Sequence, residues 1–124
     1  MNRNQLTDQN LLDMIDGAGY GIAYWATEAT VDTEARTYTV HEGEIEPSGE
    51  GDGTGVHTIP FDTLKETYWK LVSLDQQYVN SEIHGYFLHS YLERDEGGVD
   101  AGWIDASAAD VLVQVAAFGK VVFG

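Results

Sequence analysis

Between Ile104 and Phe118 the apolar residues Ile104, Ala108, Val111, Leu112, Val115 and Phe118 recur at helical spacing, and Val113 extends the apolar surface nearly all the way round. A helix that is apolar on every side has to lie inside a protein. This segment is therefore expected to be the most buried element, and the rest of the chain has to supply the layers that cover it. The helix is predicted to start near Asp105 or Ser107. Asp105 is a candidate N-cap, and Asp110 falls in the first turn, where a carboxylate interacts well with the helix dipole. Gly119 ends the helix. The closing Val121, Val122 and Phe123 are expected to add a short edge strand or a tail that docks on a neighbour.

The covering elements follow from the periodicity of the preceding residues. Leu6 and Leu11 occupy the staple positions around a Thr7 cap, Leu11, Leu12 and Ile15 make one apolar face, and Gly17 and Gly19 predict the stop. From Tyr20 to Ala26, Ile22, Tyr24 and Ala26 alternate with Ala23 and Trp25, which predicts a strand buried on both faces. A turn over Asp32–Arg36 leads into Thr37–His41, where Tyr38 and Val40 alternate with polar residues, so the two strands form a hairpin. Val56–Ile59 predicts a third strand closed by Pro60. Thr63 and Glu66 have the spacing of a capping box, and Leu64, Tyr68, Leu71 and Val72 form a core stripe with Lys65 and Lys70 outside it. A further helix is predicted from Ser81 to Glu93, with Ile83, Tyr86, Phe87 and Tyr91 inward and Asp95–Gly98 as its stop.

The predicted order is α-β-β-β-α-α-α. The chain reads as one α+β domain over residues 1–124, a small antiparallel sheet of three strands with helices packed on one face. Residues 46–55 hold alternating glycines and acids with nothing to bury, which predicts a mobile loop. A phosphate cradle is not expected there. The Lys-Ser/Thr ending and the following helix are missing, and the acids would repel phosphate.

The 124 residues carry 6 Lys+Arg against 21 Asp+Glu, a net charge of -15. A balance of this sign repels phosphate backbones and anionic lipid, so neither direct nucleic-acid binding nor membrane binding is expected. No apolar run approaches the roughly 20 residues that span a bilayer, and the first residues lead into no signal-peptide core. The chain has no cysteine, which removes disulfides, thiolate metal sites and thiol nucleophiles. A soluble, cytosolic protein is expected. The acidity serves solubility or salt adaptation in one reading, and in the other it imitates the charge of nucleic acid to occupy a basic groove on another protein.

No catalytic signature stands out, and no catalytic residue, metal site or cofactor is expected. His84 and His89 lie five residues apart, about 140° around a helix, and cannot share a metal face. His41 and His57 can be neighbours across strands two and three, where surface positions on the sheet are the simpler reading. The serines have no nucleophile-elbow context. Asp95, Glu96, Asp100, Asp105 and Asp110 cluster in sequence without the ligand spacing of a calcium loop. The aromatics offer more. Tyr24, Trp25 and Trp103 are candidates to stack on the base of a small nucleotide, with Arg36, Lys65 or Arg94 meeting its phosphates. Trp69 lies just off its helix stripe; core filling is its first reading, and with Phe118, Val121 and Phe123 it is also a candidate for a subunit contact.

Two patches carry a resemblance. The first is Gly19-Tyr20-Gly21-Ile22-Ala23-Tyr24-Trp25-Ala26 after a leucine-rich helix, and the second runs from Ile104-Asp105-Ala106 through Ala109-Asp110, Gln114 and Phe118-Gly119 to Phe123-Gly124. Together they resemble a family of small actinobacteriophage proteins, mycobacteriophage-like, that open with a helix, a Gly-Gly and a Tyr-Trp strand and close on an Asp-Ala, Ala-Asp, Gln, Phe-Gly and Tyr-Gly pattern. This chain departs from the pattern by ending in Phe-Gly and by its acidic glycine loop. The resemblance implies a phage genome and a host bacterial cytoplasm, and it assigns no reaction and no functional residues.

The leading expectation is a non-enzymatic phage accessory protein that binds a host bacterial protein with a basic groove, in host takeover or counter-defence, as a homo-oligomer. Sequestration of a small nucleotide immune signal in an aromatic pocket is the alternative. A divalent-metal-dependent hydrolase is the third. An aromatic pocket with two converging cations would favour the second reading, and a uniformly acidic exterior would favour the first.

Overall fold

The computed structural model describes residues 5–43, 49–50 and 53–124. Four helices and three strands follow the predicted order: α1 (Asp8–Gly21), β1 (Ala26–Asp32), β2 (Thr37–Glu42), β3 (Val56–Pro60), α2 (Phe61–Val72), α3 (Ser81–Leu92) and α4 (Ala106–Phe118), with one 3₁₀ turn at Ala101–Trp103. Half of the loop expected over 46–55 lies outside the described residues.

α4 is the centre of the fold, packed against α1, α2, α3 and β3. Ala108, Ala109, Leu112, Val113 and Val115 are buried on it, as are Asp110 and Gln114. Its N-cap is Asp105, whose carboxylate accepts the Ala108 N–H at 2.8 Å. Its end is Gly119 at φ +77°, a left-handed conformation that glycine adopts without strain.

α1 opens on a capping box: Thr7 Oγ1 accepts from the Asn10 N–H at 3.1 Å, and Asn10 Oδ1 accepts from the Thr7 N–H at 2.9 Å. The helix does not stop at Gly17 or Gly19. It continues to Gly21, because Met14, Ile15 and Ala18 extend its buried face along α4. Each internal glycine costs about 1 kcal/mol of helix propensity, and the packing exceeds that. Gly21 is also where α1 comes closest to α4: a Cβ there would collide with the Ala106 carbonyl.

The strand expected over Tyr20–Ala26 is therefore displaced. Tyr20 and Gly21 finish α1, residues 22–25 turn, and β1 starts only at Ala26. It is largely exposed, not buried on both faces. The hairpin itself forms, with Ala29 opposite Val40 and Val31 opposite Tyr38. Its turn is shaped by Asp32, whose carboxylate accepts the N–H groups of Glu34 and Ala35. β3 adds antiparallel to β2, giving the order β1-β2-β3. Tyr38, Val40, His57 and Ile59 are buried on the helix side, and Thr39 and Thr58 face away with their hydroxyls 3.2 Å apart.

α2 follows Pro60 directly. The capping box expected from Thr63 and Glu66 does not form: Thr63 lies inside the helix, its carbonyl accepts from Thr67 Oγ1, and the first helical N–H, that of Phe61, donates to the Arg36 carbonyl. The stripe of Leu64, Tyr68, Leu71 and Val72 is wholly buried. α3 starts on an Asn80 cap and meets α2 through Tyr68 and Ser90, whose hydroxyls lie 2.7 Å apart. No helix among the described residues is long and apolar enough to cross a membrane.

Candidate functional site

The buried polar side chains of α4 meet the turn after α1 in one seam. Asp110 accepts from Trp25 Nε1 at 2.8 Å, from the Tyr24 hydroxyl at 2.7 Å and from Gln114 Nε2 at 2.9 Å. Gln114 Oε1 in turn accepts the N–H groups of Val122 and Phe123, both at 2.8 Å, and its amide nitrogen lies 3.2 Å from the Phe123 carbonyl. Phe123 stacks on Trp25 with ring centres 4.9 Å apart. Phe118 packs against both rings and receives the edge of His57 at 4.7 Å. His57 Nε2 lies 2.6 Å from Glu42 Oε2, with both side chains buried. One connected set thus runs from Glu42 through His57, Phe118 and Trp25 to Asp110.

This arrangement binds the chain to itself. The Tyr24 hydroxyl is pushed up to about 12 by partial burial and then by the Asp110 carboxylate, so it remains a neutral donor to that carboxylate across ordinary pH. Buried polar groups are tolerable only when paired, and the seam pairs them while it fastens Val122 and Phe123.

Several expected roles change accordingly. Asp110 lies in the second turn of α4 and serves the seam, not the helix dipole. Val121, Val122 and Phe123 form no strand, and Val122 and Phe123 dock on this chain's own Gln114 and Trp25. Phe118 and Phe123 fill the seam, and Val121 is exposed. Trp69 takes the core-filling role, buried between Tyr68 and Tyr91 at ring distances of 5.1 and 5.7 Å, because α3 covers the side of α2 beyond the stripe. His57 is buried, not a surface histidine, because its strand lies under α4.

The structure brings Tyr24 and Trp25 together and gives Arg36 and Trp103 other partners. Trp103 stacks on His89 at 4.5 Å. Arg36, in the hairpin turn at φ +56°, makes a two-pronged bond to Asp8 at 2.8 Å and a further bond to Asp62 at 3.0 Å. Lys65 Nζ reaches the same Asp8 carboxylate at 2.6 Å. These two cations hold the Asp8 carboxyl far below the ordinary carboxylate range. Lys120 pairs with Glu50 at 3.3 Å, and Arg94 lies over the Tyr91 ring at 4.2 Å.

Asp95, Asp100 and Asp105 each accept a backbone N–H, from Gly97, Gly102 and Ala108. Among the described residues no group of three or more His, Asp or Glu side chains is placed to hold a metal ion.

Clefts open on the surface of the described residues. One of about 300 Å³ separates β3 from α4 and is lined by Val56, Thr58, Ala116 and Ala117 with His57. A second, of about 460 Å³, lies between α1 and the turn around Gly97. A third, of about 450 Å³, runs between α1 and β1 over Leu12, Ile15, Ala29, Val31 and Tyr38, with Asp13 and Asp16 on its rim.

Sequence reasoning missed the seam, although a signal was present. Asp110 and Gln114 stand four apart on a helix otherwise apolar all round, and polar groups inside such a helix have to find partners. Fold and site together define a small α+β protein with a closed internal seam and an acidic exterior. Compared with known proteins, the chain matches no family model, no curated protein and no solved structure.

Proposed function

We propose that this protein acts by binding a basic protein, in the manner of a phage accessory protein that occupies a host bacterial target during infection. The observation that carries this reading is how the charges are used. Arg36 and Lys65 are drawn onto Asp8, Lys120 onto Glu50 and Arg94 onto an aromatic ring, while Lys70 faces solvent alongside the acids Asp13, Asp16, Glu28, Glu34, Glu82, Glu93 and Glu96. A surface of this kind attracts a cationic partner over several ångströms and steers its approach. Arg36 and Lys65 converge on a carboxylate and not on an aromatic cleft, which favours a protein partner over a nucleotide.

The test is capture from host lysate on the immobilised protein, washed at low and at high salt, followed by rebinding of each purified captured protein. A basic protein that is released by salt and rebinds at low salt supports the reading. Retention of a small nucleotide with no protein partner overturns it.

A further inference from the structure

We propose that the outer edge of β1, together with the groove between β1 and α1, receives an extended segment of another protein as a fourth strand. The segment it fits alternates apolar residues with lysine or arginine. This inference rests on the acid-led binding reading and names its site.

β1 pairs with β2 along one side only. Beyond Ala26, among the described residues, no backbone group outside the hairpin bonds to it. An unpaired strand edge presents a row of N–H and C=O groups that can template another strand. The two edges of this sheet are treated differently. β3 has five residues, ends in Pro60 and borders a cleft against α4. β1 has seven residues and no proline, and faces a groove that no element fills.

Side chains along β1 sort a partner by pattern. Ala29 and Val31 lie on the groove side with Tyr38, Leu12 and Ile15, and Val31 is 43% exposed. Successive side chains of a strand point to opposite faces, so Glu28 and Asp32 project from the other face. An added strand would place its apolar residues over the groove and the alternate ones beside Glu28 and Asp32. Asp13 and Asp16 add negative charge at the groove rim. Neither α1 nor β1 contains a lysine or arginine. Asp13 accepts from the neutral Gln9 amide, and Asp32 accepts two backbone N–H groups.

A second copy of this chain is the wrong occupant on charge. Two β1 strands side by side would set the acids of one near those of the other, and like charges across a strand pair are destabilising. The acids that deter self-pairing are the ones that favour a cationic strand.

The experiment uses the full chain, isotope-labelled, with a heptapeptide of alternating Lys and Val at low salt, followed by amide chemical shifts and hydrogen exchange. The controls are the same composition in block order and the corresponding Glu/Val peptide. The alternating peptide should shift Thr27–Asp32 with Leu12 and Ile15, and slow exchange at alternate β1 amides. The block peptide should bind about tenfold more weakly, and the double variant Asp16→Lys, Glu28→Lys should lose about tenfold in affinity and accept the Glu/Val peptide. Both changed residues are exposed, so the variant should stay folded.

Salt-sensitive binding that leaves β1 unprotected, or that the double variant does not weaken, overturns this site and leaves acid-led binding standing. If no basic peptide binds even at low salt, this site falls, while acid-led binding is decided by the capture of a basic protein. Protection of β1 that appears without peptide as protein concentration rises assigns the edge to a second copy and overturns the proposal.

Discussion

At Asp110 one carboxylate accepts from a tryptophan, a tyrosine and a glutamine, and the buried Trp25 indole N–H has no other acceptor among the described residues. Asp110→Ala should therefore cost about 3 kcal/mol, read as a lower urea midpoint at unchanged slope, because the cost of stranding the Trp25 donor adds to the three lost bonds. A loss below about 0.5 kcal/mol would mean that water replaces the carboxylate. Tyrosines give the pH dependence. Burial pushes Tyr38 and Tyr68 up to about 12 each. Groups raised in the folded state hold their protons more tightly there than in the unfolded chain, where a tyrosine titrates near 10. Their contribution is complete below about pH 10 and is lost as pH rises towards 12. Stability should fall across that window, and Tyr38→Phe, whose hydroxyl has no bonded partner among the described residues, should flatten the fall.

Among the elements, α1 separates its glycines by what lies beside them. Gly17 and Gly19 have open space where a Cβ would stand, and Gly21 has the Ala106 carbonyl. Gly19→Ala should stabilise the protein by about 0.5–1 kcal/mol, and Gly21→Ala should destabilise it by about 2 kcal/mol or more, both measured by chemical denaturation. Equal effects at the two positions would contradict the close approach of α1 to α4. The same glycines explain what could be read beforehand. α2, α3 and α4 were legible because Leu64 to Val72, Ile83 to Tyr91 and Ile104 to Phe118 repeat at helical period. The end of α1 was not, because Gly17-Ala18-Gly19 signals a stop locally and only contact with α4 overrides it. Tyr24 and Trp25 stand out in the sequence as neighbouring aromatics and do meet, but the partner that joins them, Asp110, is 85 residues from Trp25. No local pattern encodes such a pairing.

Over the whole molecule, a net charge of -15 opposes compaction, since folding brings the acids closer together. Adding sodium chloride from about 0.01 to 1 M shrinks the screening length from about 30 to 3 Å and should raise the melting temperature. A melting temperature that falls with salt would show that the Asp8, Arg36 and Lys65 cluster outweighs the repulsion. The order of the elements along the chain has a different consequence. The helix around which the others pack is the last of them to leave the ribosome, so the earlier helices and the hairpin emerge with apolar faces and nothing to bury them against. At roughly 5–20 residues per second that exposed interval lasts for seconds. Folding has to wait for Phe118 to emerge and closes only when Phe123 reaches Trp25. The core therefore cannot close until α4 has emerged, and a ribosome stalled before residue 105 would carry α1, the hairpin, α2 and α3 with their apolar faces uncovered.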